Sequence, residues 1–145
     1  LAQPFVDGRF IGGTMTNWPE IKKRIAMLED RTTKREKGEL GHYTKKERLL
    51  IDRKIDKLAL YFSGLSTMKG LPKFLIVVDP KKEHIAVAEA KRIRIPVIAI
   101  AGSDNNIFDV DFDIPANDSS KASIGLIMEK IVLAYKAGAA SAKVA

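Results

Sequence analysis

The sequence contains no cysteine and only two histidines among its 145 residues. Without thiols it can form neither a disulfide framework nor a thiolate metal site. His42 and His84 lie far apart in the sequence, so a histidine-based metal site has little support. Ser103 lies in AGSDNN rather than in GxSxG and has no histidine near it in the sequence. These absences predict a protein with no catalytic residues, no metal and no cofactor.

Long apolar runs are also missing. The longest, FLIVV and PVIAIAG, have the length of strands and fall short of the roughly 18 apolar residues that a membrane span requires. Neither the GxxxxGK[ST] loop nor the GxGxxG loop of nucleotide-binding proteins is present. We therefore predict no membrane partner and no small-molecule substrate.

Positive charge is present in excess, with 25 Lys and Arg against 18 Asp and Glu. It is concentrated in residues 18–58, which hold 13 basic and 8 acidic residues. Such an excess favours a negatively charged partner such as nucleic acid. The acidic residues interleaved with the basic ones leave open a second interpretation, in which these are solvated helix faces. The basic clusters comprise Lys22, Lys23 and Arg24; Lys34, Arg35 and Lys37; and Lys45, Lys46 and Arg48.

The same region has the pattern of two amphipathic helices. The first is predicted to begin at Thr16 or Asn17, with Pro19 in its first turn. The second opens with TKKE, a capping box formed by Thr44 and Glu47, and stops near Gly64. Narrow apolar stripes at helical spacing predict an antiparallel coiled-coil hairpin over residues 18–64. The stripe residues are Ile21, Ile25 and Leu28 in the first helix and Ile51, Ile55, Leu58 and Phe62 in the second.

From residue 71 onward, apolar strands alternate with helical patterns. PKFLIVVD and IPVIAIAG flank a helix predicted over residues 82–94, and VDFDIPAND precedes a last helix with Ile124, Met128, Ile131 and Tyr135 on one face. Strands that are apolar on both faces predict a parallel sheet covered by helices, an α/β fold. We also expect an edge strand from Phe5 and Val6.

Three features with acidic or glycine residues have both a ligand and a structural interpretation. In DVDFD, Asp109, Asp111 and Asp113 share one face, which suits either a hard cation or an exposed edge strand with Val110, Phe112 and Ile114 facing the core. Asp79 ends a strand where open α/β sheets bind ligands, but it also suits a helix cap. Gly12 and Gly13 precede a helix start that can receive a phosphate, or form a tight turn.

Four stretches occur in a familiar order: RFIGGTMTNW, TKKE, LPKFLIVVDPKKEHIAVAEAKRIRIPVIAI and FDIPANDSS. Together they resemble the S2 family of small-subunit ribosomal proteins, of bacterial or organellar type. One departure is AGSD at residues 101–104, where the family usually has VDTN. The family usually has further residues ahead of the position of Leu1, so an N-terminal portion is expected to be missing.

The resemblance implies a flavodoxin-like α/β domain, residues 1–17 and 65–145, with an inserted helical hairpin, residues 18–64. It implies a non-enzymatic constituent of the small subunit of a bacterial cytoplasmic or an organellar ribosome. Its expected partners are small-subunit ribosomal RNA and other small-subunit ribosomal proteins. Combining it with the charge pattern predicts RNA contacts from Arg9, Gly12, Gly13, Lys22, Lys23, Arg24, Lys45 and Lys46.

Two other functions stay open at this point. The first is a nucleotide-binding α/β enzyme in which the helical hairpin acts as a lid. The second is a protein interaction module that accepts a partner helix along Ile51, Ile55, Leu58 and Phe62.

Overall fold

The computed structural model describes residues 3–141, which divide into two compact units at the boundary between Leu71 and Pro72. Residues 3–71 form the helical unit, and residues 72–141 form the α/β unit. Within this described range, no helix combines the length and the apolar character needed to cross a membrane.

The helical unit contains α1 at Trp18–Glu36 and α2 at Lys45–Phe62. A short 3-10 turn at Glu39–His42 connects them, and a second one at Ser63–Leu65 follows α2. Asn17 is the N-cap of α1, although its side chain makes no capping hydrogen bond. The predicted capping box is confirmed, because Glu47 N donates to Thr44 Oγ1 at 3.3 Å and Thr44 N donates to Glu47 Oε2 at 2.9 Å.

The predicted apolar stripes form the core of the helical unit. Ile55 of α2 is only 2% exposed. Ile51 and Leu58 are half-buried at the margin of the same cluster. The predicted packing of α1 against α2 is therefore confirmed. The buried members of the cluster are Ile21, Ile25, Leu28, Ile55, Phe62 and Leu65.

The N-terminal segment belongs to the helical unit. Val6 and Ile11 pack against the helical core, and Phe5 N donates to Gly64 O at 3.0 Å. Phe5 and Val6 therefore form no edge strand of the sheet, and that expectation was wrong. The sequence cannot distinguish an extended segment that pairs with a sheet from one that lies along helices.

The α/β unit contains a three-stranded parallel sheet flanked by helices, as predicted. The strands lie in the order β1-β2-β3, with Leu75 of β1 opposite Val97 and Ile98 of β2 opposite Phe112. The elements are β1 at Leu75–Val78, α3 at His84–Arg92, β2 at Val97–Ala101, β3 at Phe112–Pro115 and α4 at Lys121–Ser141. The central strand β2 is the most buried, since Val97, Ala99 and Ile100 are fully enclosed.

The outer part of the sheet differs from the expectation. Phe112 was expected to face the core, yet 62% of it is exposed. Strand β3 begins only at Phe112, so the DVDFD alternation does not run through a strand. Asp109 instead lies in a 3-10 turn, 3.1 Å from Lys91 Nζ, and Asp111 accepts a hydrogen bond from Val97 N at 2.8 Å.

Helix α4 also differs from the expectation that one apolar face would be covered. None of its residues is buried. Ile124, Met128 and Ile131 are half-buried, while the Tyr135 ring lies 6.2 Å from the Phe74 ring.

Candidate nucleic-acid interface

The loop before α1 is a tight turn that leaves its polar side exposed. Thr14 is buried, and its hydroxyl donates to Ile11 O at 2.6 Å. Gly13 has a φ of 92°, a left-handed conformation that a residue with a Cβ rarely adopts. The turn therefore explains the glycine at position 13. Arg9 and Gly12, by contrast, are exposed.

The first predicted basic cluster lies on exposed positions of α1. Lys22, Lys23 and Arg24 are all exposed, between the buried core residues Ile21 and Ile25. Lys23 Nζ pairs with Glu20 at 3.3 Å. Among the described residues, Lys22 and Arg24 form no ion pair. Two of the three cations are thus available to an external anion.

The second predicted cluster, Lys45 and Lys46, is exposed in the first turn of α2. Cations are unfavourable there, because the helix dipole places partial positive charge at the N-terminus. The capping box supplies the favourable charge instead. The pKa of Glu47 is lowered, most by a hydrogen bond from the backbone N–H of Thr44 and next by one from the Thr44 hydroxyl. Helix stability thus does not explain the two lysines.

The two predicted clusters lie apart. Lys45 follows the 37–44 connection, which begins after the last residue of α1, Glu36. Glu36 lies twelve residues beyond Arg24, about 18 Å along the helix axis at 1.5 Å per residue. The clusters could therefore contact one partner only if that partner extends along the helices.

A groove of about 430 Å³ runs between α1 and α2. Its apolar lining residues, which we call its floor, are Ile11, Met27, Leu58, Tyr61 and Phe62. Arg24 is the only predicted RNA-contacting residue that lines it. Arg31, Lys54 and Lys57 were missed, because Arg31 has no basic residue next to it and Lys54 and Lys57 are interrupted by Ile55 and Asp56. The cations of the groove are Arg24 and Arg31 of α1 and Lys54 and Lys57 of α2.

The carboxyl ends of the strands carry a second group of polar residues, and these bind one another. Asp79 has a φ of 59°, and its carboxylate lies 2.8 Å from Lys82 Nζ. Asp79 Oδ1 also accepts from Lys82 N at 3.2 Å. The hydrogen bond to Asp79 raises the pKa of Lys82. Asp79 thus stabilises the turn after β1. It does not cap α3 as the structural interpretation expected, because the N-cap of that helix is Glu83.

Asp118 connects the loops that follow β2 and β3. It accepts from Gly102 N at 2.9 Å and from Asn105 Nδ2 at 3.0 Å. Lys81 pairs with Asp104 at 2.9 Å, which lowers the pKa of Asp104. A cleft of about 370 Å³ at this edge is lined by both carboxylates and contains no cation among its lining residues. The lining therefore offers no cation to a phosphate group, although Lys81 offsets the charge of Asp104.

Acidic side chains do not form a metal site in the part of the chain that is described. Residues 3–141 contain no group of three His, Asp or Glu side chains placed to hold a metal ion. Asp109 and Asp111 of the DVDFD segment are engaged with Lys91 and Val97 N.

Fold and surface together define an α/β protein whose excess positive charge lies on a pair of packed helices rather than at the ends of its strands. The family model described as Ribosomal protein S2 matches residues 1–138. The chain belongs to this family.

Curated relatives agree with this assignment. The chain is 44% identical to small ribosomal subunit protein uS2 of Bdellovibrio bacteriovorus over 137 residues, which are 94% of the chain and 44% of the relative. It is 44% identical to uS2 of Spiroplasma citri, across 90% of the chain and 36% of the relative. For uS2 of Malacoplasma penetrans the identity is 42%, across 86% and 34%. The chain thus spans less than half the length of these relatives.

Proposed function

We propose that the chain is part of a structural constituent of the small ribosomal subunit that contacts ribosomal RNA and neighbouring ribosomal proteins. The observation that carries the proposal is the family match over residues 1–138. Three relatives named as small ribosomal subunit proteins support it. All three relatives come from bacteria, which favours a cytoplasmic bacterial ribosome over an organellar one.

The finer architecture is part of the same proposal. The parallel sheet with its helices is the later portion of a flavodoxin-like domain, and the helices of residues 18–64 are an antiparallel coiled-coil hairpin inserted into it. Groove residues support the antiparallel direction, since Arg24 early in α1 and Tyr61 late in α2 line the same groove. The proposed domain division groups residues 1–17 with residues 65–145, although residues 3–71 form one compact unit in the structure.

RNA contact is assigned to the exposed basic residues and to the loop before α1. Lys22, Arg24, Lys45 and Lys46 are exposed and form no ion pair within residues 3–141. Each cation that neutralises a phosphate releases condensed counterions, which favours association at low salt. The complete assignment comprises Arg9, Gly12, Gly13, Lys22, Lys23, Arg24, Lys45 and Lys46.

Contact with neighbouring proteins is supported by the names of the relatives rather than by the surface of α2. Leu49 and Leu60 are 51% and 61% exposed, but they lie about 16 Å apart along the helix axis. Single exposed leucines are normal on protein surfaces.

The protein acts without catalysis. The acidic cleft at the strand ends disfavours the nucleotide-binding alternative, because Asp104 and Asp118 line it. Calorimetry with ATP, GTP and NAD should show no saturable binding. A stoichiometric isotherm at micromolar concentration would contradict this part of the proposal.

Sedimentation of the tagged full-length protein through a sucrose gradient tests the proposal. We expect it in the small-subunit fraction. Reversal of Lys22, Lys23, Lys45 and Lys46 to Glu should lower its share there. The difference from the wild type should shrink as salt rises, because the variant has fewer phosphate contacts for salt to weaken. The matched control reverses four other exposed cations outside the assigned surface, Arg53, Lys69, Lys73 and Lys130, to Glu. Recovery of the wild-type protein only at the top of the gradient would refute the function. Equal incorporation of all variants would refute the assigned RNA contacts.

A further inference from the structure

The groove between α1 and α2 combines positive charge with an apolar floor. Two cations come from each helix: Arg24 and Arg31 are seven residues apart on α1, and Lys54 and Lys57 are three apart on α2. These spacings place each pair on one side of its helix. No Asp or Glu is among the nine residues that line the groove.

These four cations differ from others on the same helices. Lys34 pairs with Asp30 at 2.8 Å, and Arg35 lies 3.7 Å from Asp56. Within residues 3–141, by contrast, none of the four groove cations forms an ion pair. Like charges placed together repel and oppose folding, so helix stability does not account for them.

The floor suits a flat, partly apolar group. Met27 is 45% exposed and Tyr61 is half-buried, and both line the groove. Aromatic side chains accept a stacked base, and cations around them track the phosphates of an unpaired strand. A volume of about 430 Å³ is in the range of small-molecule sites.

We propose that this groove binds RNA through an unstacked nucleotide, with its base against Met27 and Tyr61 and the adjoining phosphates at the rim cations. The inference rests on the proposed ribosomal function and specifies the RNA chemistry: an unpaired, irregular segment rather than a duplex. Bases that are splayed out of a helix are the ones that proteins stack and read in RNA.

An acidic peptide would also match the charge, but the size of the groove favours a nucleotide. A stable protein interface typically takes roughly 20 to 30 residues from each partner, whereas nine residues line this groove. A contact of this extent is adequate for one or two nucleotides, since RNA binding is the sum of many such local contacts.

The test measures binding of the full-length protein to a fluorescent ten-nucleotide oligouridine by anisotropy, over a range of potassium concentrations. Arg31→Glu with Lys54→Glu should weaken binding by about tenfold or more at low salt. The slope of log affinity against log salt concentration should also become shallower by about 1.4, because two phosphate contacts are lost and each contributes roughly 0.7 for single strands. The charge-matched control is Arg53→Glu with Lys69→Glu. It should lose less affinity for oligouridine than the groove variant.

Tyr61 provides a test that is independent of charge. Tyr61→Phe keeps the ring and should bind like the wild type. Tyr61→Leu should lose affinity on the order of tenfold, because stacking of one base is lost. Circular dichroism establishes that each variant is folded. A Tyr61→Leu variant that is folded and binds normally contradicts stacking on this floor.

Other outcomes overturn the proposal directly. Absence of oligouridine binding by the wild type, or equal losses in the groove and control variants, means that the groove is not an RNA site. Preference for a duplex of the same length contradicts the unpaired segment. If the wild type binds a synthetic acidic peptide, and the groove variant loses that binding but still binds oligouridine normally, the groove is a protein site. The sucrose-gradient experiment tests the proposed function separately. If the wild-type protein sediments with the small subunit while any of these binding results is obtained, the proposed function stands and only the groove inference is refuted.

Discussion

Replacement of Ile55 by Ala should destabilise the packing of α1 against α2. Ile55 is 2% exposed and lies among Ile21, Ile25 and Leu28. The change removes three carbon atoms, worth about 2.4 kcal/mol at roughly 0.8 kcal/mol per buried methylene. The cavity that remains adds to this, and such substitutions cost about 2 to 5 kcal/mol in total. We expect about 3 to 4 kcal/mol, a large share of a domain's usual stability of roughly 5 to 15 kcal/mol.

Hydrogen exchange of the α1 and α2 amides in the full-length protein measures this loss, because it reports local opening separately for each unit. Protection should fall in both helices. Leu60→Ala is the control on the same helix, since Leu60 is 61% exposed and its truncation should cost little. Leu58→Ala should lie between the two, because Leu58 is only half-buried. Equal protection in the Ile55 and Leu60 variants would mean that Ile55 does not hold the helices together.

Two further predictions concern local structure. Gly13→Ala should cost about 1 kcal/mol or more in a denaturation experiment, because the residue has a φ of 92°; an unchanged midpoint would contradict the turn. Thr44→Ala should cost about 1 kcal/mol and fray the start of α2 in hydrogen exchange. Because the pKa of Glu47 is lowered in the folded protein, its contribution is present above the unfolded value of about 4.3 and is lost as pH falls through the folded value. Acidification should therefore fray the wild type more than Glu47→Gln, and identical pH profiles would contradict this linkage.

Local rules were sufficient for the helices and the inner strands. The capping box of Thr44 and Glu47 is a contact within one turn, so the sequence specifies it without tertiary information. The spacing of Ile51, Ile55 and Leu58 likewise assigns residues to one face. For β1 and β2, continuous apolar runs correctly predicted strands buried in a parallel sheet.

Those rules failed for the outer elements of the α/β unit. Alternation in DVDFD indicates which residues share a face, but it does not indicate where a strand begins or whether another layer covers that face. Phe112 is accordingly exposed, and Asp109 belongs to a turn. The apolar residues of α4 show the same limit, since Ile124 and Met128 are only half-buried within the residues that the structure describes.

The candidate surface was partly predictable for a related reason. A run such as Lys22, Lys23 and Arg24 can be recognised in the sequence because its residues are consecutive. Consecutive residues on a helix point in different directions, however, and only Arg24 of this run lines the groove. Lys54 carries a signal that could have found it, since it directly precedes the core residue Ile55 and so flanks the apolar stripe. Pairing it with Arg31 on the other helix requires the register between α1 and α2. That register is set by the packing of Ile55 and its neighbours, so a binding surface built from two helices depends on the same core contacts that the Ile55 substitution removes.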